Sequence, residues 1–470
     1  MDKISLKEII KVTGAKLVVS NKWSGTGGSD KAFRLPLVNF HVNGVTTDSR
    51  KITDGVLFVA LKGENFNGDD FAEDALKKGA AAVLVSKNAK ISPENKIVLK
   101  VEDTLTAYQK ISKSWRERFK IPVVAITGSN GKTTTKDLTA AALNSLGEIK
   151  KTSANFNNEI GVPLTLLGIT EKSKAAVVEI GMRGLGQIEN LSKIVQPTIG
   201  IVTNVSETHI EILKSMENIA KAKGELVEAI PEGGTIILNA DNKFTADMKK
   251  LAKPSVKIIT YGIENPADLT AENILIKDVS TEFNLKYGEE IFDFEIPVIG
   301  RHNVSNSLAA IAAGLAVGLS VKEIRKGFST LTTIKMRFEV IRRDGVTIIN
   351  DAYNASPASM RAAIQTVAEV YDGRKIAVLG DMLELGEISE KVHREVGAEL
   401  VENNFNTLIT LGEFGKFIAD GAKEAGLKNI FTTSTHEEAA KKILSTIHDG
   451  DIILFKASHG MHFEKIIELI

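Results

Sequence analysis

Short apolar runs recur along the chain, and most are followed by a segment in which apolar residues repeat with helical spacing. The runs are rich in β-branched side chains, which is typical of buried parallel strands. In the last third the alternation is regular, and strands are predicted at 346–350, 375–379, 407–411, 429–433 and 451–455. This pattern predicts a doubly wound, Rossmann-like sheet with right-handed crossovers.

The same patterns divide the chain into three α/β domains, which fits its length of 470 residues. Residues 1–100 are predicted to form a small α/β domain, in which the Gly/Ser/Lys-rich segment 21–36 is expected to be a surface loop. Residues 101–331 are predicted to form a central parallel sheet of the phosphate-loop ATPase type. Residues 332–470 carry the Rossmann-like pattern but no G-x-G-x-x-G fingerprint, so nicotinamide binding is not indicated.

The stretch 121–138, IPVVAITGSNGKTTTKDL, combines a predicted strand, a glycine turn and the start of a helix. Backbone N–H groups of such a turn and the positive end of the helix dipole bind phosphate. Lys132 is expected to reach the terminal phosphates, and the hydroxyl of Thr133 is expected to hold Mg²⁺. Ile126 replaces the first glycine of the strict Walker pattern, so this is a variant loop. ATP is the expected ligand, in preference to a glycine turn beside a surface lysine.

Two predicted strands end in side chains that suit a metal site. Glu179 closes an apolar strand, and a buried carboxylate requires a partner such as a cation. His209 follows the next strand; a lone histidine is more often structural, but its place at the same sheet edge favours a metal role. Lys221 and Lys223 lie in one predicted helix and are expected to be solvated.

Other polar stretches leave alternatives open. Residues 47–50, Thr-Asp-Ser-Arg, suit a phosphate or a sugar, although a solvated turn is the preferred interpretation. The amide cluster at 155–158 could cap and turn the chain or hold a polar ligand. In the last domain, polar residues follow three predicted strands at 350–354, 380–382 and 456–459, and the strand-end rule places a site at this edge.

Composition narrows the classes of partner. Lys plus Arg and Asp plus Glu both number 59, so net charge does not favour nucleic acid or acidic membranes. Without cysteine there is no disulfide framework and no thiolate chemistry. The N-terminal segment lacks the apolar core of a signal peptide, and the apolar stretch 308–319 is too short to span a bilayer. We therefore expect a cytoplasmic protein without stable membrane association.

Eight motifs carry a resemblance to a known family. They are TTDSR (46–50), TGSNGKTTTKDL (127–138), NFNNEIGVPLTLL (155–167), EIGMRGLGQI (179–188), NVSETHIE (204–211), AKAKGEL (220–226), NDAYNASPASM (350–360) and GDMLELGE (380–387). With these motifs the chain resembles the Mur ligase family along nearly its whole length. The resemblance implies an N-terminal domain for a UDP-sugar, a central ATPase and a C-terminal domain for an incoming dipeptide.

The last two motifs are similar to those of the family member that joins D-alanyl-D-alanine to UDP-N-acetylmuramoyl-tripeptide. The resemblance therefore implies ATP-dependent amide synthesis through an acyl phosphate, the last cytoplasmic step toward the peptidoglycan precursor. It implies these two substrates as partners and a monomer. The alternatives are a sister ligase that adds a single amino acid, a ligase similar to folylpolyglutamate synthase, and a non-catalytic nucleotide-binding module.

The resemblance also implies roles for single residues. Catalytic roles fall on Lys132, His209, Lys223 and Arg337. Nucleotide contacts fall on Gly128, Ser129, Asn130, Gly131, Lys132, Thr133, Thr134, Asn303, Arg337 and Asp351. Ligands of two Mg²⁺ ions are Thr133, Glu179, His209 and Lys223, the last carbamylated by CO₂. Contacts to the substrates fall on Thr47, Ser49, Arg50, Asn157, Asn158, Tyr353 and Asn354. Two features depart from the family pattern: His459 stands in place of an arginine, and the loop 21–36 is longer than usual.

Overall fold

The computed structural model describes residues 3–18, 40–91, 96–331 and 334–470. The predicted surface loop 21–36 lies outside these residues. None of the helices in the described ranges has the length and apolarity that crossing a membrane requires.

The N-terminal part contains a five-stranded sheet and a separate two-stranded pair. Its elements are β1 (Ile4–Ser5), α1 (Leu6–Thr13), β2 (Lys16–Val18), β3 (His41–Val42), β4 (Val45–Thr46), β5 (Leu57–Val59), α2 (Ala72–Lys77), β6 (Ala82–Ser86) and β7 (Ile97–Val101). The larger sheet has the order β2-β7-β6-β5-β4, in which only β2 runs antiparallel to its neighbour. The strands pair in parallel because α2 and longer connections carry the chain back across the sheet.

Helix α3 (Thr104–Arg116) joins this sheet to the central domain. Tyr108 and Ile111 are fully buried in the core beneath the first sheet. On the other side, Nε1 of Trp115 donates to the carbonyl of Ile169 at 3.0 Å, and Oγ of Ser112 donates to the carbonyl of Pro163 at 3.3 Å. Helix α3 therefore packs against both the N-terminal sheet and the central domain. The domain limits 1–100, 101–331 and 332–470 stay predictions.

The central domain is built on a nine-stranded sheet. Its elements are β8 (Val123–Thr127), α4 (Lys132–Ala142), β9 (Glu148–Lys151), α5 (Gly161–Leu167), β10 (Ser173–Glu179), α6 (Gln187–Val195), β11 (Ile199–Val202), α7 (Ile210–Leu213), α8 (Met216–Ala229), β12 (Thr235–Asn239), α9 (Lys243–Asp247), β13 (Lys257–Gly262), β14 (Leu269–Ile276), β15 (Thr281–Tyr287), β16 (Glu290–Ile296), α10 (Arg301–Ala316) and α11 (Val321–Phe328). The order is β16-β15-β14-β13-β12-β11-β8-β10-β9. Strands β8 to β14 pair in parallel, whereas β15 and β16 continue the sheet beyond β14 with antiparallel pairing.

The C-terminal domain confirms the predicted doubly wound pattern. Its elements are β17 (Glu339–Arg343), β18 (Val346–Asn350), α12 (Pro357–Val370), β19 (Lys375–Gly380), α13 (Ser389–Glu402), β20 (Thr407–Leu411), α14 (Gly415–Glu424), β21 (Asn429–Thr433), α15 (His436–Leu444), β22 (Ile452–Lys456) and α16 (Glu464–Leu469). The sheet order is β17-β18-β22-β19-β20-β21. Strand β17 is an antiparallel edge that the sequence did not predict, because its charged and apolar residues are both partly exposed.

Candidate active site

A cleft of about 1440 Å³ lies between the central and C-terminal domains, with α3 along one end. Its walls are the loops that follow β8, β10 and β11 on one side and β18, β19 and β22 on the other. These are carboxyl ends of parallel strands in both sheets, the edge at which α/β folds bind ligands. The polar residues after these strands of both domains line one cleft, and their role as a binding site stays a prediction.

The phosphate loop forms the floor of the cleft. Gly128 and Gly131 have φ angles of 146° and 80°, and a Cβ on Gly128 would lie 1.9 Å from Oγ1 of Thr203, so a side chain does not fit there. The helix predicted after the glycine turn is α4, and it begins at Lys132. The Lys132 amine donates to the carbonyls of Gly128 at 2.8 Å and Ser129 at 3.1 Å, so it lies directly over the loop.

Burial and neighbouring charges shift the pKa of the Lys132 amine. Burial lowers the pKa of its amine, the carboxylate of Glu179 opposes that shift, and the guanidinium of Arg337 adds to it. A phosphate at the loop would supply the negative charge that restores the ammonium form.

Glu179 is 1% exposed and held by two side chains. Oγ1 of Thr133 donates to its Oε2 at 3.0 Å, and Nδ2 of Asn157 donates to its Oε1 at 2.8 Å. A hydroxyl and a carboxylate side by side are the oxygen ligands that Mg²⁺ prefers, so these residues fit one ion. Within the described ranges, no group of three or more His, Asp or Glu side chains forms a complete metal cluster.

Lys223 differs from the expectation of solvation. It is 1% exposed, whereas Lys221 on the same helix is exposed as expected. Burial, with the charge of Lys132 added, holds the pKa of the Lys223 amine well below its usual range. Across the described part of the chain, this amine has no hydrogen-bonding partner and no ion pair. A neutral buried amine cannot ligate Mg²⁺ well but is nucleophilic toward CO₂, and the carbamate formed would supply oxygen ligands.

The C-terminal domain contributes Arg337, whose guanidinium lies 3.9 Å from the ring centre of Tyr353. Its Nη2 lies 3.4 Å from Oγ1 of Thr133, so it reaches across the cleft to the phosphate loop. Oγ of Ser356 makes a second hydrogen bond across the cleft and donates to Oδ1 of Asn130 at 2.9 Å. These contacts describe a closed arrangement of the two domains.

Asp351 is paired with a buried lysine that received no individual role from the sequence. Nζ of Lys456, 2% exposed, lies 2.5 Å from Oδ2 of Asp351 and donates to the carbonyl of Asn354 at 3.2 Å. Burial lowers the pKa of Lys456, and Asp351 opposes the shift. His459 lies on the same wall, with its ring 5.3 Å from that of Tyr353.

His209 is the N-cap residue of α7 and has a left-handed conformation, with a φ of 58°. Its Nδ1 lies 2.5 Å from Oε2 of Glu384 in the C-terminal domain, without the alignment of a hydrogen bond. The contact lowers the pKa of Glu384. Sequence reasoning missed Glu384, although it lies inside the GDMLELGE motif, because nothing in the motif indicates a partner in another domain.

Nearly all predicted site residues line this one cleft. In the phosphate loop they are Gly128, Ser129, Asn130, Gly131, Lys132, Thr133 and Thr134, and elsewhere Asn157, Asn158, Glu179, His209, Lys223, Asn303, Arg337, Asp351, Tyr353 and Asn354. Thr47, Ser49 and Arg50 are not among the described residues that line it. Arg50, 86% exposed, donates from Nε and Nη2 to Asp48 at 2.9 and 3.0 Å and thereby holds the pKa of that carboxyl at about 2.

A phosphate loop at the edge of one parallel sheet, facing a second α/β domain across a large polar cleft, defines a multidomain nucleotide-dependent enzyme. Three family profiles match the chain: the Mur ligase family catalytic domain over residues 41–116, the Mur ligase middle domain over 126–314 and the Mur ligase glutamate ligase domain over 336–459. The chain belongs to the Mur ligase family, which confirms the resemblance drawn from its motifs.

Individual relatives agree with this assignment. The UDP-N-acetylmuramoyl-tripeptide–D-alanyl-D-alanine ligase of Bacillus subtilis is 41% identical over 433 residues, which are 91% of this chain and 93% of that protein. The crystal structure of MurF from Acinetobacter baumannii matches with a TM-score of 0.88 at 29% identity, over 100% of this chain and 98% of that chain. MurF ligase from Thermotoga maritima in complex with ADP matches with a TM-score of 0.80 at 27% identity, over 91% and 96% of the two chains. The predicted three-domain fold is therefore confirmed.

Proposed function

We propose that this chain is an ATP-dependent ligase that joins D-alanyl-D-alanine to UDP-N-acetylmuramoyl-tripeptide. The relative from Bacillus subtilis, whose name states this activity, supports the choice of substrates. The observation that carries the proposal is that Arg337 of the C-terminal domain and Lys132 and Glu179 of the central domain meet in one cleft. We further propose that the enzyme is a monomer and acts in the cytoplasm.

The chemistry follows from the weakness of a carboxylate as an electrophile. A carboxylate oxygen of the tripeptide attacks the γ-phosphorus of ATP, which forms an acyl phosphate and releases ADP. The dipeptide amine then attacks the acyl carbon, loses a proton, and expels inorganic phosphate as the C–N bond forms. In this proposal Lys132 and Arg337 stabilise the negative charge on the transferring phosphoryl group.

Two Mg²⁺ ions, when bound, would neutralise phosphate charge and orient the phosphoryl oxygens. In our proposal Thr133 and Glu179 hold one ion, and His209 and a carbamylated Lys223 hold the other. The lowered pKa of Lys223 supports carbamylation, because only the neutral amine reacts with CO₂.

The closed domains would protect the acyl phosphate from water. The wall formed by Tyr353, Asn354 and the Asp351–Lys456 pair faces the phosphate loop. We propose that the dipeptide enters along this wall, and that Asn157, Asn158 and the exposed segment 47–50 contact the UDP-muramoyl peptide.

Mass spectrometry of the product tests the proposal. Wild-type protein, UDP-N-acetylmuramoyl-tripeptide, ATP and D-alanyl-D-alanine should give the corresponding pentapeptide and ADP, whereas Lys132→Ala should give neither. Replacing the dipeptide by single amino acids distinguishes a sister ligase. Faster product formation with a free amino acid than with the dipeptide would refute the proposed acceptor. ADP formation at the same rate with and without an acceptor would refute ligation.

A further inference from the structure

The loop after β19, residues 381–385, is fixed rigidly in the C-terminal domain. The buried carboxylate of Asp381 accepts three backbone N–H groups of residues 413–415 at 2.9 to 3.0 Å. The next two N–H groups of the loop donate to Nε2 of His393 at 2.9 Å and to Oγ of Ser458 at 3.0 Å. A loop with so many backbone anchors presents its tip in one position.

The tip of this loop is Glu384, which reaches into the central domain. Glu384 has a φ of 63°, a left-handed conformation that is costly for a residue with a Cβ. Its Oε2 lies 2.5 Å from Nδ1 of His209, and its Oε1 lies 3.8 Å from Nε of Arg183. The carboxylate therefore lies between two cationic or polar groups that belong to the opposite domain.

His209 is connected to the phosphate loop through its neighbour in the chain. Oγ1 of Thr208 donates to Oγ of Ser129 at 2.9 Å, and the N–H of Ser129 donates to the carbonyl of Asn204 at 2.9 Å. The imidazole is thus held between the nucleotide-binding loop on one side and the C-terminal domain on the other.

We propose that Glu384 is a positioning residue that accepts the Nδ1–H of His209 when the C-terminal domain is closed, and so presents Nε2 as the metal-ligating nitrogen. Histidines that bind metals commonly donate their other N–H to a carboxylate, which fixes the tautomer and the ring orientation. Here the carboxylate comes from another domain, so the second metal position is complete only after closure. Nδ1 of His209 and Oε2 of Glu384 already lie 2.5 Å apart, so this contact needs no further approach of the two domains. This inference rests on the proposed function, because it takes His209 as a metal ligand.

Binding of Mn²⁺ in the presence of a non-hydrolysable ATP analogue tests this role, with free Mn²⁺ counted by electron paramagnetic resonance. Glu384→Ala should weaken one of two bound Mn²⁺ ions about 10- to 100-fold, the usual effect of losing such a carboxylate. Glu384→Gln should retain most of the affinity, because its amide oxygen accepts the same N–H. Glu387→Ala is the matched control, since Glu387 is exposed in the neighbouring turn and its change should leave Mn²⁺ binding as in the wild type.

Thermal melting and small-angle scattering of each variant separate this role from a structural one. Unchanged or tighter Mn²⁺ binding by folded Glu384→Ala would overturn the proposal, and so would an equal loss in Glu387→Ala. A wild type that binds only one Mn²⁺ would also overturn it. These measurements need no acceptor, so a failure of the proposed ligation would be seen separately, as the absence of product from the wild type.

Discussion

Replacing Lys223 by methionine should abolish ligation while making the protein more stable. Methionine keeps the length and the apolar stem of lysine but cannot be carbamylated. The amine that it removes is buried and, among the described residues, has no partner that would compensate its desolvation. Activity and stability should therefore change in opposite directions.

The magnitude follows from proton binding. An unfolded lysine binds a proton up to its ordinary pKa of 10.5, whereas the buried Lys223 amine releases it at a lower pH. Between these two pKa values the unfolded chain binds one more proton, so the wild-type free energy of unfolding rises by about 1.4 kcal/mol per pH unit relative to the variant. At pH 7.5 this proton-linked part of the stability difference should be at most about 4 kcal/mol, and this part should vanish as the pH approaches 10.5.

Chemical denaturation of both proteins from pH 7 to 10 in CO₂-free buffer measures this difference. Lys221→Met is the matched control, because that side chain is exposed on the same helix and should show no such pH dependence. In parallel, Lys223→Ala should be inactive and partly rescued by a short carboxylate such as acetate. A less stable Lys223→Met, or equal pH slopes for wild type and variant, would show that the amine is charged and paired. Full activity without rescue would show that the amine has no role in the reaction.

Three further outcomes are expected. Lys132→Ala should abolish ATP-dependent ligation, because it removes a cation from the transferring phosphoryl group; phosphate release at the wild-type rate with all substrates present would contradict this. Ser356→Ala should destabilise the closed state by about 1 kcal/mol through the lost bond to Asn130, which scattering in the presence of nucleotide would show as a larger open fraction; an unchanged profile would contradict it. Arg50→Ala should raise the pKa of Asp48 from about 2 toward 3.8 in an NMR titration. In the wild type the Arg50–Asp48 pair contributes stability at pH values above 3.8, and this contribution is lost as the pH falls toward 2. An unchanged pKa in the variant would show that Arg50 does not cause the low pKa of Asp48.

The local part of the site could be predicted from the sequence. The phosphate loop is continuous in the chain, so its strand, turn and helix are visible together, and the structure contains all three in that order. Glu179 was found because a carboxylate at the end of an apolar run is exceptional, and the structure places it against Thr133. In both cases the signal lies within a few neighbouring residues.

Long-range contacts could not be predicted in this way. Glu384 meets a histidine 175 positions earlier in the chain, and no local pattern specifies that meeting. The burial of Lys223 did leave a signal: Ile219, Leu226 and Val227, which are four residues before and three and four after it, are buried on the same helical face. A lysine that lies on the apolar face of an amphipathic helix should therefore be predicted as buried.

The two-sided packing of α3 has a consequence for how the molecule can be taken apart. Tyr108 and Ile111 are fully buried and pack against the N-terminal sheet, and Trp115, 1% exposed, lies in the same core. Deleting that sheet would uncover a large aromatic surface and favour aggregation. Excising the C-terminal domain would instead break polar contacts such as Arg337 to Thr133 and Ser356 to Asn130, and would uncover the aliphatic side chain of Ile299 rather than an aromatic surface. The first two domains should therefore be obtainable together as a folded fragment that retains the nucleotide-binding loop.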